Sequence, residues 1–463
     1  MALAECLSAD YELLLVTQRS PTDNISAFEK KFDRVVGLPV TDPPDFASEL
    51  KPQLRGGEIV VVDGYRFSAA YQEQAKQSAG ALICIDDIPD KHYTADVIFN
   101  FSAALPDNVY DKEFYTRVYG GIGYVLLRSP FQQKIQKEKK FNGSVFINMG
   151  GADIHNHTRW VVDKIIGSGF DGDITIVTGP GYQFKDSLEA HLNKFPSATI
   201  KSNLDAPQMR EAMMSCSIAI VPPSTVAYEF ISTGGLLFVL QTAENQSLLK
   251  EYLIREGMAF DFSSFDEVAL RDVENSFYTS YEKHRAAFDG NSGERLRAIF
   301  HTLDLSTKMV LRRAAPKDIE LTFRWANDPD VRRFAYTPDP IPWETHQSWY
   351  PGKISSEGVF YFIAMIGEEA AGQIRFDWTG NNSEYLISYL LDSSWRGKGL
   401  ASSLIIRGIQ KLTAGQSGNF KITGYVMKEN LGSVKAFINA GFKKREQDKY
   451  PNSYKFELAL NLI

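Results

Sequence analysis

The stretch Asp392-Ser-Ser-Trp-Arg-Gly-Lys-Gly-Leu-Ala401 sets Arg396, Gly397, Lys398 and Gly399 between an apolar run, Tyr385 to Leu391, and a helical pattern, Ser402 to Leu412. A strand feeding such a loop into a helix makes an anion site, because the free amides at the helix start point outward and the dipole favours negative charge. Gly397 and Gly399 allow close backbone approach, and Arg396 and Lys398 add charge. Two stretches further forward have the same form. Val145 to Asp153 ends a strand in Gly150-Gly151, and Ile218 to Glu229 runs through Ser224 and Thr225 into a helix. Those hydroxyls suit a phosphate and suit a plain helix cap equally.

Loops of this kind need elements to hold them. Up to about residue 300, short apolar runs (Leu13–Val16, Ile59–Val62, Ala81–Ile85, Val145–Asn148, Ile174–Val177, Ile218–Val221, Leu236–Leu240) alternate with helical patterns (Ala69–Ala79, Arg159–Ile166, Pro207–Cys216, Gln246–Glu256). That alternation predicts α/β structure with parallel sheets covered on both faces. The polar run Lys134 to Lys140 reads as a linker between two lobes, or as a solvated helix end inside one. A second break falls near residues 303–309. After it, Val310–Arg313, Phe360–Met365, Gln373–Trp378 and Tyr385–Leu391 read as strands, with a hairpin at Gly367-Glu368-Glu369.

At 463 residues, 44% hydrophobic and 23% charged, the chain has the composition of a folded enzyme of two or three domains. A net charge of −7 gives no reason to expect nucleic acid. Cys6, Cys84 and Cys216 are too few and too scattered for a disulfide framework or a zinc cluster, and His92, His191, His284 and His301 suggest no metal site. His155 and His157 read as solvent-facing. The start, with Glu5 and Asp10 and no basic leader, is a poor secretory signal, and no apolar run approaches the roughly 20 residues of a membrane span. A cytoplasmic protein is expected, with no metal and no membrane insertion.

The order Arg396, Gly399, Ala401 after a strand, followed by Val426 to Phe442, resembles the two signatures of the GNAT N-acetyltransferases over roughly residues 309–461. The resemblance implies acetyl-CoA as cosubstrate. Arg396, Gly397, Lys398, Gly399 and Ala401 would hold its pyrophosphate, with Leu390, Leu391 and Asn430 near the pantetheine arm. It also implies direct transfer, in which an amine attacks the thioester, a base takes its proton and an acid protonates the thiolate. Where many members carry a tyrosine as that acid, this chain has Phe437, so the acid is unassigned; Glu384 and His346 are candidates for the base. Gly399→Glu is expected to abolish acetyl-CoA binding by setting bulk and charge against the pyrophosphate.

In the front part, Pro-x-Ser-x-x-x-Tyr-Glu ending at Glu229, a glycine turn, a strand and Asn245-Gln246 resemble the donor lobe of MurG-like sugar-nucleotide enzymes, where such a glutamate takes the ribose hydroxyls. Val62–Tyr65, Ile85–Asp87, Asp96–Asn100, Leu126–Phe131, Met149–Asp153 and Asn245-Gln246 resemble the UDP-sugar hydrolases of pseudaminic acid biosynthesis. Tyr65 and Asn245 are the active-site positions that carry over. The family's first strand and its Gly-x-Gly-His-x-x-Arg loop have no counterpart here. Either the natural protein is longer or this lobe binds without catalysis.

Together the resemblances imply two lobes of glycosyltransferase B type (1–136 and 141–302) and an α+β acetyltransferase domain (309–463). The chain would acetylate a UDP-linked amino-dideoxy sugar and then hydrolyse the UDP-2,4-diacetamido-2,4,6-trideoxyhexose. A glycosyltransferase fused to an unrelated acetyltransferase, and a UDP-sugar-docking lobe without turnover, are the alternatives.

Overall fold

A computed structural model describes residues 1–18, 26–135, 139–265, 272–380, 384–447 and 449–462. Of the Lys134–Lys140 stretch read as a linker, residues 136–138 lie outside the described residues. Lys139 is not a solvated linker lysine. Its ammonium donates to Met213 O at 3.0 Å and Gly234 O at 2.8 Å, and loss of water lowers its pKa to about 7.

The apolar runs between residues 145 and 261 become a six-stranded, all-parallel sheet ordered Ala198–Ser202, Ile174–Thr178, Val145–Ile147, Ile218–Val221, Leu236–Val239, Phe260–Asp261. In chain order this is 3-2-1-4-5-6, the doubly wound arrangement whose ligand crevice lies outside the carboxyl ends of the strands. Side chains alternate between faces. Val145, Ile147, Ile218 and Ile220 enter one apolar cluster, and Phe146, Ala219, Val221 and Leu237 enter another. Burial on both faces explains why these strands read as unbroken apolar runs.

The strands before residue 121 are divided. Ile59–Asp63, Ala81–Ile85, Val97–Asn100 and Arg117–Gly120 form one parallel sheet, and Leu14–Gln18 pairs with Arg34–Leu38 in another. No strand among the described residues joins the two. Helix Ser292–Thr307 returns from the second sheet to the first, where Leu296 and Phe300 pack with Ile83, Val97 and Phe99.

The break expected near 303–309 is the end of that helix, with only Lys308 between it and strand Met309–Arg313. The last sheet runs Met309–Arg313, Val359–Ile366, Glu369–Trp378, Glu384–Leu391, Gly418–Met427, Ser453–Leu462, Lys443–Glu446. The hairpin turn is Gly367-Glu368, with φ +62° at Gly367 as a type II′ turn requires. Helix Leu400–Thr413 buries Leu400, Leu404, Ile405, Ile409 and Leu412, one face at helical spacing. A Cβ on Gly408 would stand 2.5 Å from Ile374, so glycine is what lets this helix lie so close to the sheet. Truncating a fully buried residue of the face, such as Ile409, costs about 2–5 kcal/mol.

The last domain is docked on the first. Phe114 packs against its core, and a Cβ on Gly441 would meet Phe114 O at 2.3 Å. Arg407 Nε donates to Ser306 Oγ at 3.4 Å, and Arg117 donates to the Ser402 hydroxyl.

Candidate functional site

Neighbouring strands in the last sheet are antiparallel except at Glu384–Leu391 and Gly418–Met427, which run parallel and pair only over Glu384–Leu386 with Lys421–Thr423. Beyond Leu386 they diverge. On that side the backbone from Ile387 to Leu391 borders a cavity of about 1180 Å³ instead of a neighbouring strand.

Asp392, which follows the strand, accepts from Ser394 N at 2.9 Å and Trp325 Nε1 at 2.7 Å, fixing how the chain enters the loop. Gly397 (φ +77°) and Gly399 (φ +75°) take left-handed conformations that glycine adopts without strain. Gly399 is the N-cap of helix Leu400–Thr413 and has no side chain to cap it, so the amides of the first turn are left for a ligand. Leu390, Leu391, Arg396, Gly397, Gly399, Ala401 and Asn430 all line the cavity.

The loop's two cations are placed differently from one another. Arg396 donates to Leu391 O at 3.1 Å and pairs with Asp328 at 3.0 Å and Asp330 at 3.1 Å. Lys398 lies 4.3 Å above the Trp395 ring and does not line the cavity. Nor is Gly399→Glu a clean probe, because a Cβ there would meet Thr302 at 2.9 Å and unseat the loop before any charge acted.

The two candidate bases separate. Glu384 stands at the paired end of the strands, bound to Lys421 at 3.3 Å and outside the cavity lining. His346 lines the cavity and is 3% exposed. Burial lowers its pKa below the usual imidazole value, so the ring is neutral at neutral pH. Its Nε2 is 3.1 Å from Thr322 Oγ1, which is equally far from Ile319 O. With the threonine proton on Ile319 O, Nε2 is the donor and Nδ1 keeps a lone pair that can take another proton.

Phe437 packs against Tyr389, whose hydroxyl lies 2.8 Å from Ser433 Oγ in the cavity wall. Burial pushes the Tyr389 phenol up to about 12, so it keeps its proton at any physiological pH. Nothing in the sequence singled out Tyr389 within an apolar strand. The phenylalanine at 437 was the one signal that a proton donor must lie elsewhere.

At the front, a second cavity of about 470 Å³ includes Gly150, Gly151, Thr225 and Glu229 in its wall. Ser224 is the N-cap of helix Thr225–Thr233, but its side chain makes no capping bond and does not line this cavity. Glu229 is taken by Arg128, with bonds of 2.6 and 2.7 Å to its two oxygens. Gln246 turns inward and accepts from Thr242 N at 2.8 Å and Ala243 N at 3.2 Å. Tyr65 and Asn245 come together, with Asp87 beside them; partial burial and Asp87 push the Tyr65 phenol up. Asp153 caps helix His157–Gly167, and His157 Nδ1 rests 3.3 Å from the same carboxylate. Among the described residues no group of three or more His, Cys, Asp or Glu stands where a metal ion would be held. No helix among them is long and apolar enough to cross a membrane.

Residues 308–443 match the acetyltransferase (GNAT) domain family. This segment is a GNAT acetyltransferase domain. Over 427 residues, 87% of this chain and 84% of the relative, the sequence is 23% identical to an uncharacterized protein of Methanocaldococcus jannaschii. Over 209 residues, 44% of this chain and 74% of the relative, it is 21% identical to the UDP-2,4-diacetamido-2,4,6-trideoxy-beta-L-altropyranose hydrolase of Campylobacter jejuni. Similar solved structures include AAC(6')-Ib in complex with ribostamycin and coenzyme A (20% identical, 33% of this chain and 93% of that one, TM-score 0.30). Another is the spermidine N-acetyltransferase of Vibrio cholerae with CoA and spermine (15% identical, 34% and 96%, TM-score 0.29).

Proposed function

We propose that the chain is a bifunctional, cytoplasmic nucleotide-sugar enzyme of nonulosonic (pseudaminic) acid biosynthesis. Its GNAT domain acetylates the amine of a UDP-linked amino-dideoxy sugar, and its two front lobes, of glycosyltransferase B type, release UDP from the diacetamido product. The observation that carries the first activity is the divergence of Glu384–Leu391 from Gly418–Met427 beside a glycine-cornered helix start, all on one cavity with His346. Unpaired strand backbone suits the amide-bearing pantetheine arm, and the free amides after Gly397 suit the diphosphate. Acetyl-CoA supplies an activated acyl thioester. His346 takes the proton of the attacking amine, and Tyr389, backed by Ser433, gives one to the departing sulfur.

The likeness to the Campylobacter jejuni hydrolase and the meeting of Tyr65 with Asn245 support the second activity. The domains would be 1–136, 141–302 and 309–463. A second reading, front lobes that dock a UDP-sugar without hydrolysing it, is supported by the cavity beside Gly150, Gly151 and Thr225. One experiment separates them. Incubation of the full chain with acetyl-CoA and a UDP-4-amino-dideoxy sugar yields the acetylated sugar and free UDP under the first reading. Under the second it yields acetylated UDP-sugar with no free UDP. No acetyl transfer to any UDP-amino sugar overturns both.

A further inference from the structure

The helix start that faces the transferase cavity is held partly by residues from outside the transferase domain. Of its own two cations, Arg396 is paired with Asp328 and Asp330 and bonded to Leu391 O while its Nη2 has no partner, and Lys398 lies on the face of Trp395. A third cation reaches it from the front of the molecule. We propose that Arg117, on strand Arg117–Gly120 of the first sheet, is a positioning residue for the diphosphate of coenzyme A. This inference rests on the acetyl-CoA reading of the site.

The guanidinium of Arg117 donates to the hydroxyl of Ser402, in the first turn of helix Leu400–Thr413. Ser402 is 2% exposed, lines the cavity, and its hydroxyl lies 3.4 Å from Gly399 O. Arg117 does not itself line the cavity; it stands behind Ser402, and from there its charge, partly shielded from water, adds to the helix dipole at the first turn. The front of the molecule grips the loop at a second point. Thr302 Oγ1, 2.9 Å from Ala298 O in its own helix, lies 3.2 Å from Lys398 O and occupies the space beside Gly399. Arg117 is itself well fixed, with its amide donating to Asp96 O at 3.0 Å and its strand paired along Val97–Asn100. The pairing with Ser402 spans 285 positions of sequence, so no local motif announces it.

The test is calorimetric titration of the full chain and its Arg117→Ala and Arg117→Lys variants with coenzyme A, dephospho-coenzyme A and pantetheine. Arg117→Ala is expected to weaken both nucleotide-bearing ligands about tenfold, to leave pantetheine unchanged, and to be largely rescued by Arg117→Lys; added salt narrows the gap. An equal loss for pantetheine, or no rescue by lysine, makes Arg117 a packing residue and overturns the proposal. A loss for coenzyme A but not for its dephospho form moves the contact to the 3′-phosphate and overturns it as well. If the unaltered chain binds none of the three, the acetyl-CoA reading has failed and this inference with it. If the unaltered chain binds and Arg117→Ala binds equally well, only the role of Arg117 is lost.

Discussion

The two cavities treat their polar groups differently. In the rear cavity His346 is neutral, Tyr389 keeps its proton, and the strand backbone after Leu386 faces open space. In the front cavity the carboxylate expected to meet a ribose is already held at both oxygens by Arg128, and outside it Gln246 is spent on its own turn. Within the front part, the six strands behind the glycine pair form one sheet, while the strands before residue 121 are divided among separate sheets. A group held ready for chemistry and a group used up in holding the fold can share a residue type and a motif; the partners at close range tell them apart.

The largest expected effect sharpens the rear side. Ala401 is the second residue of its helix, where an aspartate suits the dipole, so Ala401→Asp should fold normally. Its carboxylate faces the same space as the diphosphate, and affinity for coenzyme A by calorimetry is expected to fall at least about a hundredfold.

His346→Gln should lower acetyl transfer by roughly a hundredfold or more. The pH profile carries the sign. The folded pKa lies below the ordinary 6.5, so the base is present above that lowered value and lost as pH falls through it. The acid limb of the rate profile should therefore lie below pH 6.5 and vanish in the variant. Tyr389→Phe should cost about ten- to a hundredfold in kcat with little change in KM, since solvent must then protonate the thiolate.

On the front side, Glu229→Gln should weaken UDP binding about tenfold if the remaining lone pairs serve the ribose. Unchanged affinity would make the Arg128–Glu229 pair purely structural and deepen the contrast between the cavities. A further effect concerns stability alone. His284 is fully buried against Met258 O at 2.7 Å, with its pKa lowered to about 4 from 6.5. The unfolded chain takes up that proton first, so stability is undiminished above pH 6.5 and falls as pH drops toward 4, by roughly 3 kcal/mol. Denaturant titrations of His284→Gln at pH 7 and pH 4.5 should show a smaller difference than the parent.

Strand positions in the doubly wound sheet were legible because burial on both faces leaves unbroken apolar runs such as Ile218–Val221. The placement of the Gly397–Ala401 loop between a strand and a helix was legible because its glycines and flanking patterns are local. What escaped depends on distance in sequence. The order of the sheets, the return of helix Ser292–Thr307 to the first sheet and the reach of Arg117 to Ser402 leave no periodic trace. Glu384 misled for a geometric reason: at about 3.3 Å per residue along a strand it lies on the order of 10 Å or more from the open end at Tyr389. Tyr389 itself was hidden because a tyrosine in a strand reads as core until Ser433 is found beside its hydroxyl.

Hydrogen exchange of the full chain with and without coenzyme A, resolved to single amides, addresses the central claim. The account predicts slowed exchange concentrated at Gly397 to Ser402, with a second protected stretch at Ile387 to Leu391, where the strand lacks a neighbour on the side of Gly418–Met427. Binding that leaves the amides of the 397–402 turn exchanging as fast as before would contradict it.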